Sequence, residues 1–276
     1  PTISYTNNEF ASYNAYTFDR DTVIDTLQQV VRINDGYENQ QSLKEDISAG
    51  LRAIYNRKFM RSGRSLTMQA NMNFTNSKAV TQTYAYDQLR ALALVDQRTL
   101  SGNDAFSYSL RTSYVEPIYK NNHLLEMVLS LSGNNRISEK DQYTKDSITG
   151  DYTIYDSVYS NNLQTSLYSE QLELNYRWVE EKFDFMVGAR AIAQQTHSKT
   201  FYGGVLARDT LYNKWNFSPN MNFRYKFDRK KFARIIYRGS TQNPSITQME
   251  PVRNNSNALN ETVGNLGLQP AYRHNI

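Results

Sequence analysis

The chain has no cysteine, three histidines, six prolines and no uninterrupted run of 18 apolar residues. Without cysteine there is no disulfide scaffold and no thiolate metal site, and the redox compartment is left undecided. The histidines, His123, His197 and His274, stand far apart without H-x-x-x-H spacing, so a metal centre has no sequence foothold. The missing apolar run excludes a membrane protein built of helices, though not one built of strands, which need only alternate apolar and polar residues. The opening PTISYTNNEF carries no signal-peptide pattern. G-x-S-x-G, H-E-x-x-H and P-loop patterns are also missing, so hydrolase and nucleotide chemistry lack their usual anchors. Apolar residues make up 39% and mean hydropathy is −0.69, low for a 276-residue soluble enzyme with a thick core. The net charge of +4 is mild and scattered, which argues against nucleic acid as a partner. The charged fraction of 21% is ordinary, so self-repulsion does not predict disorder.

Aromatic residues are abundant: 21 Tyr, 12 Phe and 2 Trp. Tyr suits sheets and also the boundary between hydrocarbon and water. Residues 65–74 read SLTMQANMNF, with Leu66, Met68, Ala70, Met72 and Phe74 alternating with Ser, Thr, Gln and Asn. A strand sends successive side chains to opposite faces, so this stretch is a ribbon with one apolar and one polar side. The same period recurs at 47–56, 106–115, 125–132, 171–178, 183–194 and 216–227. A helical period competes only weakly, near 88–95. The expected fold is all-β: an antiparallel up-and-down meander of roughly ten strands, part of a transmembrane β-barrel of the outer-membrane type. Alternating runs of about ten residues match the roughly 9–11 that cross a bilayer, whereas a soluble sandwich would favour Val and Ile in strands of about five or six.

Short polar connections at 59–64, 119–123, 180–182 and 228–231 alternate with stretches expected to be long loops, at 19–45, 84–104, 138–158 and 203–211. All short turns then fall on one rim and all long loops on the other, the plan of outer-membrane barrels. Tyr55, Phe59, Trp178, Phe227 and Phe232 are expected at an interfacial girdle. The polar residues of the opposite face are expected to line a wet lumen: Arg52, Gln69, Asn71, Arg111, Glu126, Glu173, Arg177, Arg190, Arg224 and Arg234. Their charges would either guide a substrate or pair with one another and with whatever fills the bore. Asp146, Asp151 and Asp156 gather in DSITGDYTIYD, a conceivable calcium loop whose spacing misses the EF-hand order, and solvation is the commoner fate of such acids.

Three pieces carry a more specific likeness: W-N-x-S-P at Trp215–Pro219, Y-R-G-S-T-Q-N-P-S-I at Tyr237–Ile246 with its Pro244, and G-N-L-G-L-Q-P from Gly264 and Asn265 to Pro270. They resemble barrel segments of the TonB-dependent receptor superfamily, and within it the "outer membrane protein beta-barrel" family of Gram-negative bacteria. Leu266 stands where that family usually has Pro, and NRKFMRSGRSL at 56–66 looks like its periplasmic turn. The likeness is firm over 46–276 and weak over 1–45. It implies a barrel with no catalytic residues, cofactor or metal, set in outer-membrane lipid and partnered by a plug domain and a TonB-type energy-coupling protein. The plug, the TonB box and a C-terminal aromatic residue are not found in the sequence. Receptors of this superfamily usually have 22 strands. Residues 1–276 therefore read as an internal barrel fragment. The expected function is energised uptake of a nutrient ligand. The rival is a non-transporting barrel serving adhesion or scaffolding a surface lipoprotein, and an outer-membrane enzyme would need Ser, His and acid converging at one rim.

Overall fold

Alternation specifies strands, and strands need partners for every backbone N–H and C=O. A computed structural model describes the chain except residues 25–26, 229, 243, 250–253, 258–259 and 266, with side chains described outside 18–34, 246–247 and 250–261. The strands run in chain order: β1 (Thr2–Ile24), β2 (Leu27–Lys58), β3 (Ser65–Asp87), β4 (Leu92–Tyr119), β5 (His123–Lys145), β6 (Tyr152–Tyr155), β7 (Asn161–Val179), β8 (Phe183–Tyr202), β9 (Val205–Lys226) and β10 (Phe232–Gln242). One helical turn, α1 (Ile246–Met249), and a small hairpin of β11 (Asn254–Asn257) and β12 (Asn260–Thr262) precede β13 (Ala271–Asn275). A single antiparallel sheet of 11 strands takes the order β1-β2-β3-β4-β5-β7-β8-β9-β10-β13, with β6 hanging on β5. The up-and-down meander is the expected fold. The sheet does not close: β1 and β13 are its edges.

Register makes the two faces continuous. Leu129 stands opposite Leu172, which stands opposite Ala191, which stands opposite Phe217. Met127, Leu174, Ala189 and Pro219 form the next row, and Leu125, Tyr176, Val187 and Met221 the one after. No second protein layer covers these rows: Leu129, Leu172, Leu174 and Met127 are 45–47% exposed and Phe217 59%. Among the described residues the buried apolar side chains are Ala85, Val128 and Met249, with Pro117. The opposite face is where burial occurs, with Asn175 at 5%, Ser218 at 4% and Val128 fully enclosed. In a single layer, side chains enclose one another only on the inside of a curve, so the sheet curls towards its polar face.

The apolar rows end abruptly. On the apolar face they span Leu66–Phe74, Phe106–Tyr114, Phe183–Ala193 and Trp215–Tyr225, close to the roughly 9–11 residues of a bilayer crossing. Beyond them the same face carries Asn76, Lys78 and Asp104, with Asn76 donating to Asp104. Aromatic rings gather where the rows begin: Phe59 meets Tyr114 edge-on at 6.4 Å, Trp178 lies 5.2 Å from His123 and 4.7 Å from Phe183, and Phe227 lies 5.0 Å from Tyr225. Phe232, expected in this girdle, stands instead opposite Lys226 on the polar face, where it carries the Arg224 guanidinium 4.2 Å above its ring. Past the band, Glu116 accepts from Arg64 at 2.7 Å, Arg61 at 3.0 Å and Tyr114 at 2.6 Å, binding the first short turn to β4. The Arg64 guanidinium, helped by the Tyr114 hydroxyl, holds the Glu116 carboxyl below its ordinary range.

The expected long loops need correcting. Three of the four, at 19–45, 84–104 and 203–211, are not loops: apart from 25–26, which lie outside the described residues, and the turns at 88–91 and 203–204, their residues continue the ladders, making β2 32 residues long and β4 28. β3 and β4 stay paired to Asp87 and Leu92, and β8 and β9 are joined by Gly203–Gly204 alone, with φ of 55° and 81°. Positive φ at both central residues is the hairpin geometry that matches strand twist, and glycine adopts it without strain. Above the lipid both faces meet water, so hydropathy stops alternating while hydrogen bonding continues. Of these stretches only the third departs from the meander, at 146–160, to form β6; past β10 the chain departs again through α1 and the β11–β12 hairpin. The weak helical period near 88–95 falls on the β3–β4 turn and the start of β4.

If this band is the one in lipid, Leu129→Arg should cost about 2–4 kcal/mol of folding stability in vesicles, while Ile137→Arg, farther along the same face of β5, should cost no more than about 1. Reversible urea unfolding in phospholipid vesicles measures both, and equal costs would misplace the band.

Candidate functional site

The polar face of the spanning rows carries the chemistry. Arg52 of β2, Gln69 and Asn71 of β3, Arg111 of β4, Glu126 of β5, Glu173 and Arg177 of β7, Arg190 of β8, Arg224 of β9 and Arg234 of β10 all share it by register. A chain of bonds to neutral acceptors starts at one side: Arg52 Nη2 donates to Gln69 Oε1 (3.3 Å), Gln69 Nε2 to Asn71 Oδ1 (3.3 Å), and Asn71 Nδ2 to Ser109 Oγ (3.0 Å). At the centre, Glu126 and Glu173 are bridged by one amide. Asn175 Nδ2 donates to Glu126 Oε2 (3.2 Å) and Glu173 Oε1 (2.9 Å), while Ser113 Oγ holds Glu126 Oε1 (2.6 Å) and Gln171 Nε2 holds Glu173 Oε2 (3.5 Å).

The charges do not chiefly pair with each other. Arg177 does, gripping Asp184 through Nε (2.9 Å) and Nη2 (2.5 Å). Arg234 Nε donates to the neutral Asn222 Oδ1 (2.9 Å), and both carboxylates take neutral donors. Arg190 stands directly opposite Glu173 and Ser218, yet its Nε is shut from solvent without an acceptor. Beside it a cleft of about 290 Å³ is lined by Glu173, Arg190, Ser218, Asn220, Arg238 and Asn275, among others.

Sequence reasoning missed Asn175, Gly188, Ser218 and Asn220. Gly188 was the available signal, because a glycine inside a strand marks a close approach. A Cβ there would lie 2.0 Å from Asn175 Oδ1 and 2.7 Å from the Leu174 carbonyl, so the glycine is what lets the Asn175 amide lie across β8.

Elsewhere the structure gives the other candidates ordinary partners. Asp146 Oδ1 accepts from Ile148 N (2.8 Å), and Asp156 Oδ1 accepts from Val158 N (3.0 Å) and Tyr159 N (3.3 Å). These two carboxylates cap their own turns, and no group of three His, Cys, Asp or Glu suited to a metal occurs among the described residues. His123 Nδ1 bonds the Tyr176 hydroxyl (2.6 Å), His197 Nε2 the Asp209 carboxylate (2.5 Å), and His274 Nδ1 the Tyr237 hydroxyl (3.0 Å).

The motif residues shape the end of the sheet. Trp215, 81% exposed, closes the apolar row of β9. Pro219 falls just past the β9–β10 ladder, which stops at Asn220 opposite Arg238, so its missing N–H costs no bond on that side. Gly239 follows, where a Cβ would come within 2.1 Å of Tyr272 Oη and 3.0 Å of Pro219 Cδ. Pro244 lies between β10 and α1, Asn265 N donates to the Gln248 carbonyl (2.7 Å), Asn265 Oδ1 accepts from Gly267 N (2.8 Å), and Pro270, six residues past Gly264, leads into β13. Leu266 lies outside the described residues.

A curled single-layer antiparallel sheet with a bare apolar band, ringed by aromatics and backed by a polar face, defines an outer-membrane β-barrel protein. A model of the Outer membrane protein beta-barrel family matches residues 57–276, and the chain belongs to that family. Its place is the outer membrane of a Gram-negative bacterium. No curated protein and no solved structure matches it.

Above the band β6 is strapped to its neighbours. Tyr152 Oη donates to Asp96 Oδ1 (2.7 Å) and Tyr143 meets Tyr155 edge-on at 5.6 Å. Burial, then the bond to Asp96, pushes the Tyr152 hydroxyl up to about 12. Raising an acid's folded pKa makes its protonated form the stabilising one. The contribution is therefore complete below the ordinary 10.0 and fades as pH rises through about 12. Protease nicking of 146–160 should rise across that window in the native chain and be high and flat with pH in Tyr152→Phe; parallel profiles would detach the strap from this bond.

Proposed function

We propose that the chain is barrel wall of a TonB-dependent receptor-type transporter that takes up a nutrient ligand across the outer membrane. The observation that carries this reading is the polar face, where carboxylates and guanidinium groups are held by neutral neighbours with little mutual neutralisation. A face built only for stability would cancel its charges, because an unpaired charge away from water is costly. Charges held by amides and hydroxyls keep their fields available to whatever occupies the bore. The three sequence motifs between Trp215 and Pro270 support the same assignment by resemblance.

In this reading the short-turn rim at 59–64 and 180–182 faces the periplasm, and the tall hairpins with the β6 strap face outward, as is usual for such barrels. A plug domain fills the bore, and a TonB-type protein relays energy to it from the inner membrane. The wall does no covalent chemistry and takes no cofactor. The piece is part of a larger closed barrel. The scaffold alternative, with a surface lipoprotein as partner, is favoured by one feature: hairpins rising well above the band offer much polar surface outside the lipid.

Deleting 146–160 in the whole protein should reduce ligand uptake while heat-modifiable migration of the folded barrel is kept. Collapse of the inner-membrane proton gradient should then abolish uptake by the native protein. Uptake unchanged by the deletion would remove the strap from the capture surface, and surface binding without gradient-dependent uptake would favour the scaffold.

A further inference from the structure

We propose that the cleft between β7, β8, β9 and β10 is a carboxylate-binding subsite, with Arg190 as its principal ligand and a small hydroxy- or amino-substituted acid as its occupant. The proposal goes beyond the uptake reading, since such a subsite would bind its acid whether or not the barrel transports.

Four observations converge on it. First, Arg190 is half-buried, its Nε has no acceptor, and it makes no ion pair among the described residues. Second, the carboxylate that register places opposite it is already engaged: Glu173 takes Asn175 on one oxygen and Gln171 on the other, both from its own strand. Arg190 is thus left facing the cleft with its planar fork unused. A guanidinium presents two parallel N–H groups that match a carboxylate, and a desolvated cation without its anion is a costly arrangement. Third, the cleft adds a second guanidinium, Arg238, also without an acceptor among the described residues, and the hydroxyls of Ser218 and Ser240. The charge lining the cleft is therefore two cations against one acid whose oxygens are occupied. Fourth, Asn220 Oδ1 is buried without a donor in the same cleft. Both orphans are shut from solvent here, and a small shift of their neighbours would open them together to an occupant with a hydroxyl or ammonium beside its carboxylate. The volume of about 290 Å³ sits at the lower end of small-molecule sites, room for an acid of a few carbons.

The acid could arrive as a free solute or as an acidic side chain of a protein segment inside the bore; the chemistry presented to Arg190 is the same. The test is the arginine Nε–H nitrogen spectrum of the protein in detergent micelles, with Arg190 assigned by its loss in Arg190→Gln. Titration with lactate should shift that signal saturably, propionate should bind several-fold more weakly, and sulfate should not compete. Arg190→Lys, which keeps the charge and loses the fork, should weaken lactate by about tenfold or more as read on the Nε–H signal of Arg238 in the same cleft, and Ser218→Ala should weaken it by less. Heat-modifiable migration checks that each variant is folded. No saturable shift with lactate, or a saturable lactate shift of the Arg238 signal that survives unweakened in Arg190→Gln, overturns the subsite. Tighter binding of sulfate than of lactate overturns the carboxylate class, and equal binding of propionate and lactate overturns the role of Asn220. In the whole receptor purified from membranes, an Arg190 signal already displaced before any addition identifies a protein side chain as the source. A signal displaced only on adding lactate identifies a free solute.

Discussion

Hydrocarbon offers no hydrogen bonds, so a chain that crosses it must satisfy its backbone from within. That constraint organises this protein more than any side-chain contact does. It accounts for ladders that run unbroken from Gly36 opposite Asp87 to Lys58 opposite Ser65, and for a sheet with no second layer. In a water-soluble chain of this size, folding would be driven by burying apolar side chains against each other. Here Leu129, Leu174 and Phe217 stay open on one face, and the described buried apolar set amounts to Ala85, Val128, Met249 and Pro117. The apolar transfer that stabilises the fold is therefore made against lipid.

The spanning rows were legible in the sequence because lipid on one side and water on the other force period two. SLTMQANMNF needed no other information to declare its two faces, and register then aligned it with its neighbours on both sides. The hairpins above the lipid were not legible by the same rule. With water on both faces the selection for alternation disappears, and stretches such as 84–104 read as loops although their backbones are paired. Local turn chemistry was the surviving signal there: Gly203–Gly204 between Tyr202 and Val205 is a two-residue hairpin signature. The candidate site divides the same way. Which charged residues share a face followed from parity, whereas who bonds whom did not. Glu126 and Glu173 meet through Asn175 only because Gly188, on the next strand, leaves room for the amide.

That amide explains why the two acids do not seek the arginines. Glu173 and Arg190 are direct cross-strand neighbours, the geometry in which opposite charges usually pair. Same-face neighbours two residues along β7 reach the carboxylate oxygens first: Asn175 at 2.9 Å, a bond to a charged group worth about 1.5–3 kcal/mol, and Gln171 by a longer contact of 3.5 Å. With Asn175 on one oxygen and Gln171 beside the other, Glu173 stays on its own strand and Arg190 keeps an Nε without an acceptor.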